Sequence, residues 1–118
     1  MWSDPGAVET MDDVEIAFVR TETDNGQLEL HVRGDLDIAT SGLLGRELHD
    51  LLDLDLPYIG VDLSGVTFID SSALSVLVRT HERAQNKGHR LALLRPSAPC
   101  VKVFSITGLD RVFDLQSS

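Results

Sequence analysis

Asp70, Ser71 and Ser72 are the residues of this sequence best suited to carry chemistry. They follow an apolar segment with a strand-like pattern and precede a long helical pattern, so they should lie at the first turn of a helix. Unpaired backbone N–H groups and the helix dipole favour negative charge there, and a hydroxyl at that end can accept a phosphoryl group. We predict that Ser71 is a phosphorylation site. Ser72 is the weaker candidate, because its side chain can be used within the helix turn.

Two further carboxylates, Asp35 and Asp37, follow a predicted strand. Their residue type favours turn formation and helix capping, and an acidic loop can also orient a hydroxyl or contact a protein partner. Asp70 is placed to cap the helix that begins at Ser71, which would hold this serine in a defined position. Both roles of Asp35 and Asp37 stay open at the level of sequence.

A hydrolase is the competing hypothesis, since Ser71, His81 and several aspartates are the residue types of a catalytic triad. However, no G-x-S-x-G motif surrounds the serine, and helical spacing directs His81 towards the core. Glycine-rich phosphate-binding motifs are also missing from the sequence. We therefore expect a chain that is not an enzyme and needs no cofactor.

Metal binding and redox chemistry have little support in the sequence. His49 and Asp53 are one helical turn apart, but two potential ligands on a leucine-rich helix do not make a metal site. Cys100 is the only cysteine, so it cannot form an internal disulfide. Its apolar surroundings in a predicted helix indicate a packing role.

Length and charge restrict the class of protein. A chain of 118 residues suits one domain, and it contains neither a membrane-spanning apolar run nor a secretory signal pattern. We therefore expect a cytoplasmic protein without membrane contact. The net charge of −9 disfavours direct nucleic-acid binding and favours a protein partner.

Hydrophobic periodicity predicts an α/β fold that opens with an antiparallel hairpin. Two segments beginning at Val14 and Leu28 alternate apolar and polar residues, as half-buried strands do. The Asp-Asn-Gly sequence at residues 24–26 is typical of the turn between such strands. A leucine stripe then predicts a first helix from Thr40 or Ser41 to about Leu54.

The second half of the chain predicts a β-α-β unit. Short apolar strands at residues 58–63 and 91–94 flank a helix of about 17 residues, and such strands are normally parallel. Ser97 and Pro99 indicate the start of a third helix that Gly108 ends. Residues 112–115 are predicted to form an edge strand, with a helical continuation as the alternative. The expected fold is a single α/β domain with a mixed sheet of four or five strands packed with helices.

Three segments complete the predicted organisation. Residues 1–12 lack periodicity and contain Pro5 and Gly6, so they are interpreted as a flexible N-terminal lead. Residues 13–115 form the domain, and residues 116–118 form a C-terminal tail.

The outer face of the central helix is a candidate partner surface. Arg79, Arg83 and Lys87 form a basic stripe that can meet an acidic partner or simply remain solvated. Val76 falls among these polar residues, which solubility alone does not explain, and it is predicted to contact a partner.

Three motifs occur in order on matching predicted elements: GDLDIAT at residues 34–40, DSSAL at residues 70–74 and ITGLDRVF at residues 106–113. With them the chain resembles the STAS domain of bacterial anti-sigma factor antagonists over about residues 13–115. The resemblance implies that a partner which is both anti-sigma factor and serine kinase phosphorylates Ser71. In such partner switching the unmodified antagonist captures the anti-sigma factor and releases the sigma factor, and a metal-dependent Ser/Thr phosphatase restores the unmodified form.

The resemblance and the residues together define the predicted sites. Ser71, and more weakly Ser72, is the phosphorylation site, and the expected partner-binding residues are Asp35, Asp37, Asp70, Ser72, Val76 and Arg79. The family usually has glycine where this chain has Ala73, and often also at Ser75. This departure leaves room for an alternative, an interaction module of a signalling scaffold without a sigma-factor partner. The oligomeric state is left open.

Overall fold

The structure is a computed structural model that describes the backbone of residues 8–11 and 14–116 and the side chains from Ile16 to Gln116. The elements run in the order β1 (Val8–Met11), β2 (Val14–Glu22), β3 (Leu28–Leu36), α1 (Ser41–Leu52), β4 (Tyr58–Ile69), α2 (Ser71–Asn86), β5 (Arg90–Leu94), α3 (Ala98–Thr107), a short 3-10 turn (Leu109–Arg111) and β6 (Asp114–Gln116).

The strands form one mixed sheet in which every strand lies beside its neighbour in sequence. The pairs β1 with β2 and β2 with β3 are antiparallel, whereas β3 with β4, β4 with β5 and β5 with β6 are parallel. A helix connects each pair of parallel strands, as parallel pairing requires. The predicted α/β fold with an opening hairpin and a β-α-β unit is confirmed.

Strand β1 corrects the prediction of a flexible lead over residues 1–12. Val8–Met11 pairs antiparallel with β2, from Val8 opposite Ala17 to Met11 opposite Val14. An edge strand is held by backbone hydrogen bonds along one side only, so it can form without the apolar alternation that marks a half-buried strand. The rest of the predicted lead lies outside the described residues.

Several element boundaries differ from the sequence prediction. Strand β4 is twice as long as the segment 58–63 and continues through Ile69, directly before the candidate site. Helix α1 ends at Leu52 instead of Leu54, and the last strand begins at Asp114 instead of Val112. Gly108 ends α3 with φ of +78°, a conformation that a residue without Cβ adopts at no steric cost.

One face of the sheet and all three helices share a single hydrophobic core. Alternate strand residues such as Leu30, Val61 and Leu93 pack with Leu48 of α1, and α2 and α3 contribute Leu77 and Phe104. The core holds the helices against the strands, and therefore fixes where each helix begins. None of the helices in the described residues is long and apolar enough to span a lipid bilayer.

The other face of the sheet carries a charged network around Asp62. The Arg95 guanidinium donates to Asp62 Oδ2 at 2.9 Å and to Glu29 Oε1 at 3.1 Å, and His31 Nδ1 lies 2.9 Å from Asp62 Oδ2. Burial opposes ionisation of Asp62, but hydrogen bonds from Ser64 and Arg95 outweigh it and lower the pKa of this carboxyl. Arg95 adopts φ of +47°, so the network holds a strained backbone position.

Candidate functional site

The candidate site lies where the parallel strands β3 and β4 end side by side. Leu36 is paired with Ile69, and the backbone N–H of Asp70 donates to the carbonyl oxygen of Leu36 at 3.1 Å. The loop after β3 and the first turn of α2 therefore leave the sheet at the same edge. This brings the segments of Asp37 and Ser71 together, although about thirty residues separate them in sequence.

Asp70 caps helix α2. Its Oδ1 accepts the backbone N–H groups of Ser72 at 2.9 Å and Ala73 at 3.4 Å, and it also accepts the Ser72 hydroxyl at 2.6 Å. The Ser72 hydroxyl, followed by the two backbone donors, stabilises the carboxylate and lowers the pKa of Asp70. The predicted capping role of Asp70 is confirmed.

The two adjacent serines have different environments. Ser71 is the first residue of α2, is exposed, and its hydroxyl makes no hydrogen bond to any residue in the described range. Ser72 is half-buried, and its hydroxyl is engaged by Asp70. Ser71 is thus the more accessible hydroxyl at the positively polarised end of the helix.

Asp35 and Asp37 are tied into the structure by hydrogen bonds. Asp35 Oδ1 accepts the Thr67 hydroxyl of β4 at 2.5 Å, whereas Asp37 Oδ1 accepts the N–H groups of Ala39 and Thr40 within its own loop. The turn-forming role of Asp37 is confirmed. Asp35 instead links the ends of β3 and β4.

These carboxylates leave an acidic surface at the edge of the sheet. Among the described residues, Asp35, Asp37 and Asp70 each use only Oδ1 in hydrogen bonds, and none of them forms an ion pair. Their Oδ2 atoms have no hydrogen-bond partner in this part of the chain. Three uncompensated negative charges therefore surround the loop and helix terminus that present Ser71.

The prediction that Val76 lies on the partner surface is corrected by its burial, because only 8% of this residue is exposed. Its side chain packs against α1, where a Cβ added to Gly45 would lie 3.7 Å from Val76 Cγ1. Helix α2 buries one side against the sheet and a second against α1, so its apolar arc is wider than a single stripe. Val76 is therefore a packing residue.

The predicted basic stripe is only partly available. Arg83 lies 2.9 Å from His49 Nδ1 of α1, and Lys87 donates to the Leu52 carbonyl oxygen at 3.2 Å. Arg79 is exposed and forms no ion pair with any residue of the part that the structure describes. Arg79 is thus the member of the stripe best placed for a partner.

The comparison with known families now identifies the fold. The model of the STAS domain matches residues 18–118, which include the sheet edge, α2 and Ser71. The chain belongs to the STAS domain family. This confirms the family resemblance that the three motifs indicated.

Relatives of this STAS domain span nearly its whole length. It is 24% identical over 99 residues to the anti-sigma-B factor antagonist of Bacillus subtilis, covering 84% of this chain and 90% of that protein. It is 22% identical over 98 residues to the anti-sigma F factor antagonist of Paenibacillus polymyxa, covering 82% and 84% of the two chains. An anti-sigma factor antagonist from Mycobacterium paratuberculosis is similar in structure, with 25% identity, a TM-score of 0.78 and coverage of 88% and 87%.

The positions of Ser71 and His81 in this STAS domain do not form a nucleophile–base pair. His81 is buried and packs edge-on against Phe113, with ring centroids 5.8 Å apart. Ten residues of α2 separate it from Ser71, which corresponds to about 15 Å along the helix axis. This is far beyond hydrogen-bond reach, so the triad hypothesis has no geometric support.

Cys100 and the potential metal ligands have no shared site. Burial raises the pKa of the Cys100 thiol, which keeps it protonated and suited to packing. His49 Nε2 and Asp53 Oδ2 lie 3.4 Å apart as an exposed pair on α1. Within residues 16–116, no group of three or more histidine, cysteine or acidic side chains is arranged to hold a metal ion.

A groove beside Ser71 is the feature that sequence reasoning missed. It is lined by Ser71, Leu74, Ser75, Val78, Arg79 and Leu109. The first five follow helical spacing along α2 and could be grouped from sequence, but Leu109 comes from the 3-10 turn after α3. Only the packing of these two elements shows that a groove exists.

Proposed function

We propose that this STAS domain is an anti-sigma factor antagonist that phosphorylation of Ser71 switches off. Its unmodified form binds an anti-sigma factor with serine kinase activity and thereby releases a sigma factor. Phosphorylation of Ser71 by that partner ends the interaction, and a metal-dependent Ser/Thr phosphatase restores binding. The similarity of this chain to the anti-sigma factor antagonists of Bacillus subtilis and Paenibacillus polymyxa supports the antagonist role.

The observation that carries this proposal is the free, exposed hydroxyl of Ser71 at the first position of α2. Asp70 satisfies the N–H groups of Ser72 and Ala73, so it fixes the helix start without covering Ser71. A phosphoryl group on this hydroxyl remains outside the core. The fold therefore has no reason to change on modification.

Charge explains how such a modification blocks binding. A phosphate adds about −1.5 to −2 charges beside Asp35, Asp37 and Asp70. Repulsion between unit charges at ~4 Å costs about 1 kcal/mol in water and about 4 kcal/mol at intermediate dielectric. Since about 1.4 kcal/mol changes affinity tenfold, local repulsion can switch off a partner interface.

The two departures from the family's usual glycines have unequal consequences. The side chain of Ala73 is completely buried, so its methyl group lies in the core and not on the surface that a kinase approaches. Ser75 is exposed, and its hydroxyl donates to the Ser71 carbonyl oxygen at 3.0 Å. Any change in kinase preference should therefore originate at Ser75.

Phosphorylation is tested by incubating the full chain with ATP, magnesium and the serine-kinase anti-sigma factor encoded in the same genome, followed by mass spectrometry. We expect one phosphate on Ser71, none without the kinase, and none on the Ser71→Ala variant. The Ser72→Ala variant is the matched control and should still be modified. Phosphate on Ser72 alone, or on neither serine, contradicts the proposed switch.

Binding is tested with the same anti-sigma factor by isothermal titration calorimetry. The unmodified chain should bind, and the phosphorylated chain and the Ser71→Asp variant should bind at least tenfold more weakly. The Ser71→Asn variant is the control, because the Asn side chain has nearly the size of Asp but no charge. Comparing the two variants separates the effect of shape from the effect of charge. Absence of binding by the unmodified chain would favour a signalling-scaffold module over an antagonist.

A further inference from the structure

A groove with a volume of about 360 Å³ runs along α2 beside Ser71. Leu74, Val78 and Leu109 give it an apolar lining, and Val78 and Leu109 remain partly exposed. Two apolar residues close to Leu109 in sequence are also exposed: Ile106 is 74% exposed and Val112 is 48% exposed. A concave surface with an apolar lining is typical of a protein docking site.

Polar residues follow one edge of this groove. Ser71, Ser75 and Arg79 are spaced four residues apart, line the groove and are exposed. Arg79 forms no ion pair with residues 16–116, whereas Arg20 and Arg95 are both paired with carboxylates. The chain has a net charge of −9, so most of its surface repels anionic groups. A guanidinium without an ion-pair partner among the described residues at the groove can therefore bind an anionic group of a partner at this position.

The surface along α2 therefore changes sign from one end to the other. Asp70 and the acidic loop residues Asp35 and Asp37 lie at the start of the helix, and Arg79 lies nine residues after Asp70. At ~1.5 Å per residue the two ends are about 13 Å apart. The apolar lining of the groove lies between them.

From this arrangement we infer the chemistry of the partner segment, resting on the proposed function. The anti-sigma factor inserts a large apolar side chain into the groove, and it places an Asp or Glu against Arg79. The positions of this apolar side chain and this carboxylate fix the direction in which the partner segment lies along α2.

The two ends of the surface should act independently. Ser71 and Arg79 are eight residues apart, or about 12 Å, which exceeds the Debye length of about 8 Å at physiological ionic strength. A phosphate on Ser71 therefore acts mainly on the acidic end, because solvent ions largely screen its effect on the contact at Arg79. The effects of substitutions at the two ends should multiply in the dissociation constant.

The test measures the affinity of purified variants of the full chain for the serine-kinase anti-sigma factor encoded in the same genome. Arg79→Glu should weaken binding at least tenfold, whereas Arg79→Lys should stay within about threefold of the parent chain. Arg33→Glu makes the same charge change on an exposed residue of β3 and is the matched control. It should change affinity less than twofold.

A second variant tests the groove itself. Ser75→Phe places a bulky side chain on an exposed position in the groove lining and should weaken binding at least tenfold while the melting temperature is retained. A photo-crosslinking residue at position 75 should attach to a partner peptide that contains a large apolar residue close to an Asp or Glu. Attachment to a peptide without an acidic residue overturns the inference.

The outcomes separate this inference from the proposed function. The docking mode is overturned if Arg79→Glu and Arg33→Glu reduce the affinity equally, or if Ser75→Phe binds as tightly as the parent chain. In either case the proposed function still stands if phosphorylation of Ser71 weakens binding. If the unmodified chain does not bind the anti-sigma factor at all, both are overturned together.

Discussion

The carboxylate of Asp70 accepts the Ser72 hydroxyl at 2.6 Å, and this contact gives the two adjacent serines different roles. Ser72 becomes part of the helix cap and is half-buried, whereas the neighbouring Ser71 keeps a free, exposed hydroxyl. A single side chain thus both caps α2 and determines which of the two hydroxyls stays free and exposed.

Replacement of Asp70 by Ala should destabilise the domain by about 1 kcal/mol, since the cap of α2 is lost. Asp70→Asn should retain most of the stability, because an amide oxygen can also cap a helix. Urea unfolding followed by circular dichroism measures both. Asp50→Ala, on an exposed position of α1, is the control and should have little effect. Equal unfolding free energies for Asp70→Ala and the parent chain would contradict the capping role.

The network on the other sheet face predicts an acid-dependent loss of stability. The pKa of Asp62 is lowered in the folded state. The ionised carboxylate therefore contributes fully to the free energy of unfolding at pH values above the unfolded pKa of about 3.9. This contribution is lost as the pH falls through the lower, folded pKa. The difference in unfolding free energy between the parent chain and Asp62→Asn should therefore shrink between pH 7 and pH 3. A difference that stays constant or grows towards low pH would show that Asp62 is not stabilised as a carboxylate.

Arg95→Ala should destabilise the domain by about 1 to 3 kcal/mol, because it leaves the buried Asp62 carboxylate without its guanidinium donor. The new alanine would also have to adopt φ of +47°. Arg90→Ala removes an exposed ion pair with Asp114 and is the matched control, with a much smaller expected effect. Chemical denaturation at neutral pH compares the two variants, and equal effects would argue against a structural role for the network.

Val76→Ala should cost about 2 kcal/mol of stability, since two buried methyl groups between α2 and α1 are lost. Val101→Ala, where the parent side chain is 51% exposed, should cost far less. Affinity for the anti-sigma factor, measured well below the melting temperature, should be unchanged in both. A selective loss of binding by Val76→Ala would restore the partner role that the sequence suggested.

Much of the fold follows from local pattern. The two-residue period of β2 and β3, the turn at residues 24–26 and the apolar stripes of the helices predict elements that the structure contains. Strand β1 could not be predicted in this way, because it is stabilised by backbone pairing with β2 along one edge. The length of β4 was also underestimated, since Ser64 to Phe68 are largely polar or exposed although they continue to pair with β3.

For the candidate site, the sequence by itself determined the helix cap, the serine at the helix start and the acidic loop. These depend on residue type and on position relative to a helix start, which are local properties. Only the tertiary structure decided that Val76 is buried, that Arg83 and Lys87 are engaged by α1, and that Arg79 stays free. Helical periodicity gives the direction of each side chain, but which neighbouring element occupies that direction is fixed by how α1, α2 and the 3-10 turn pack on the sheet.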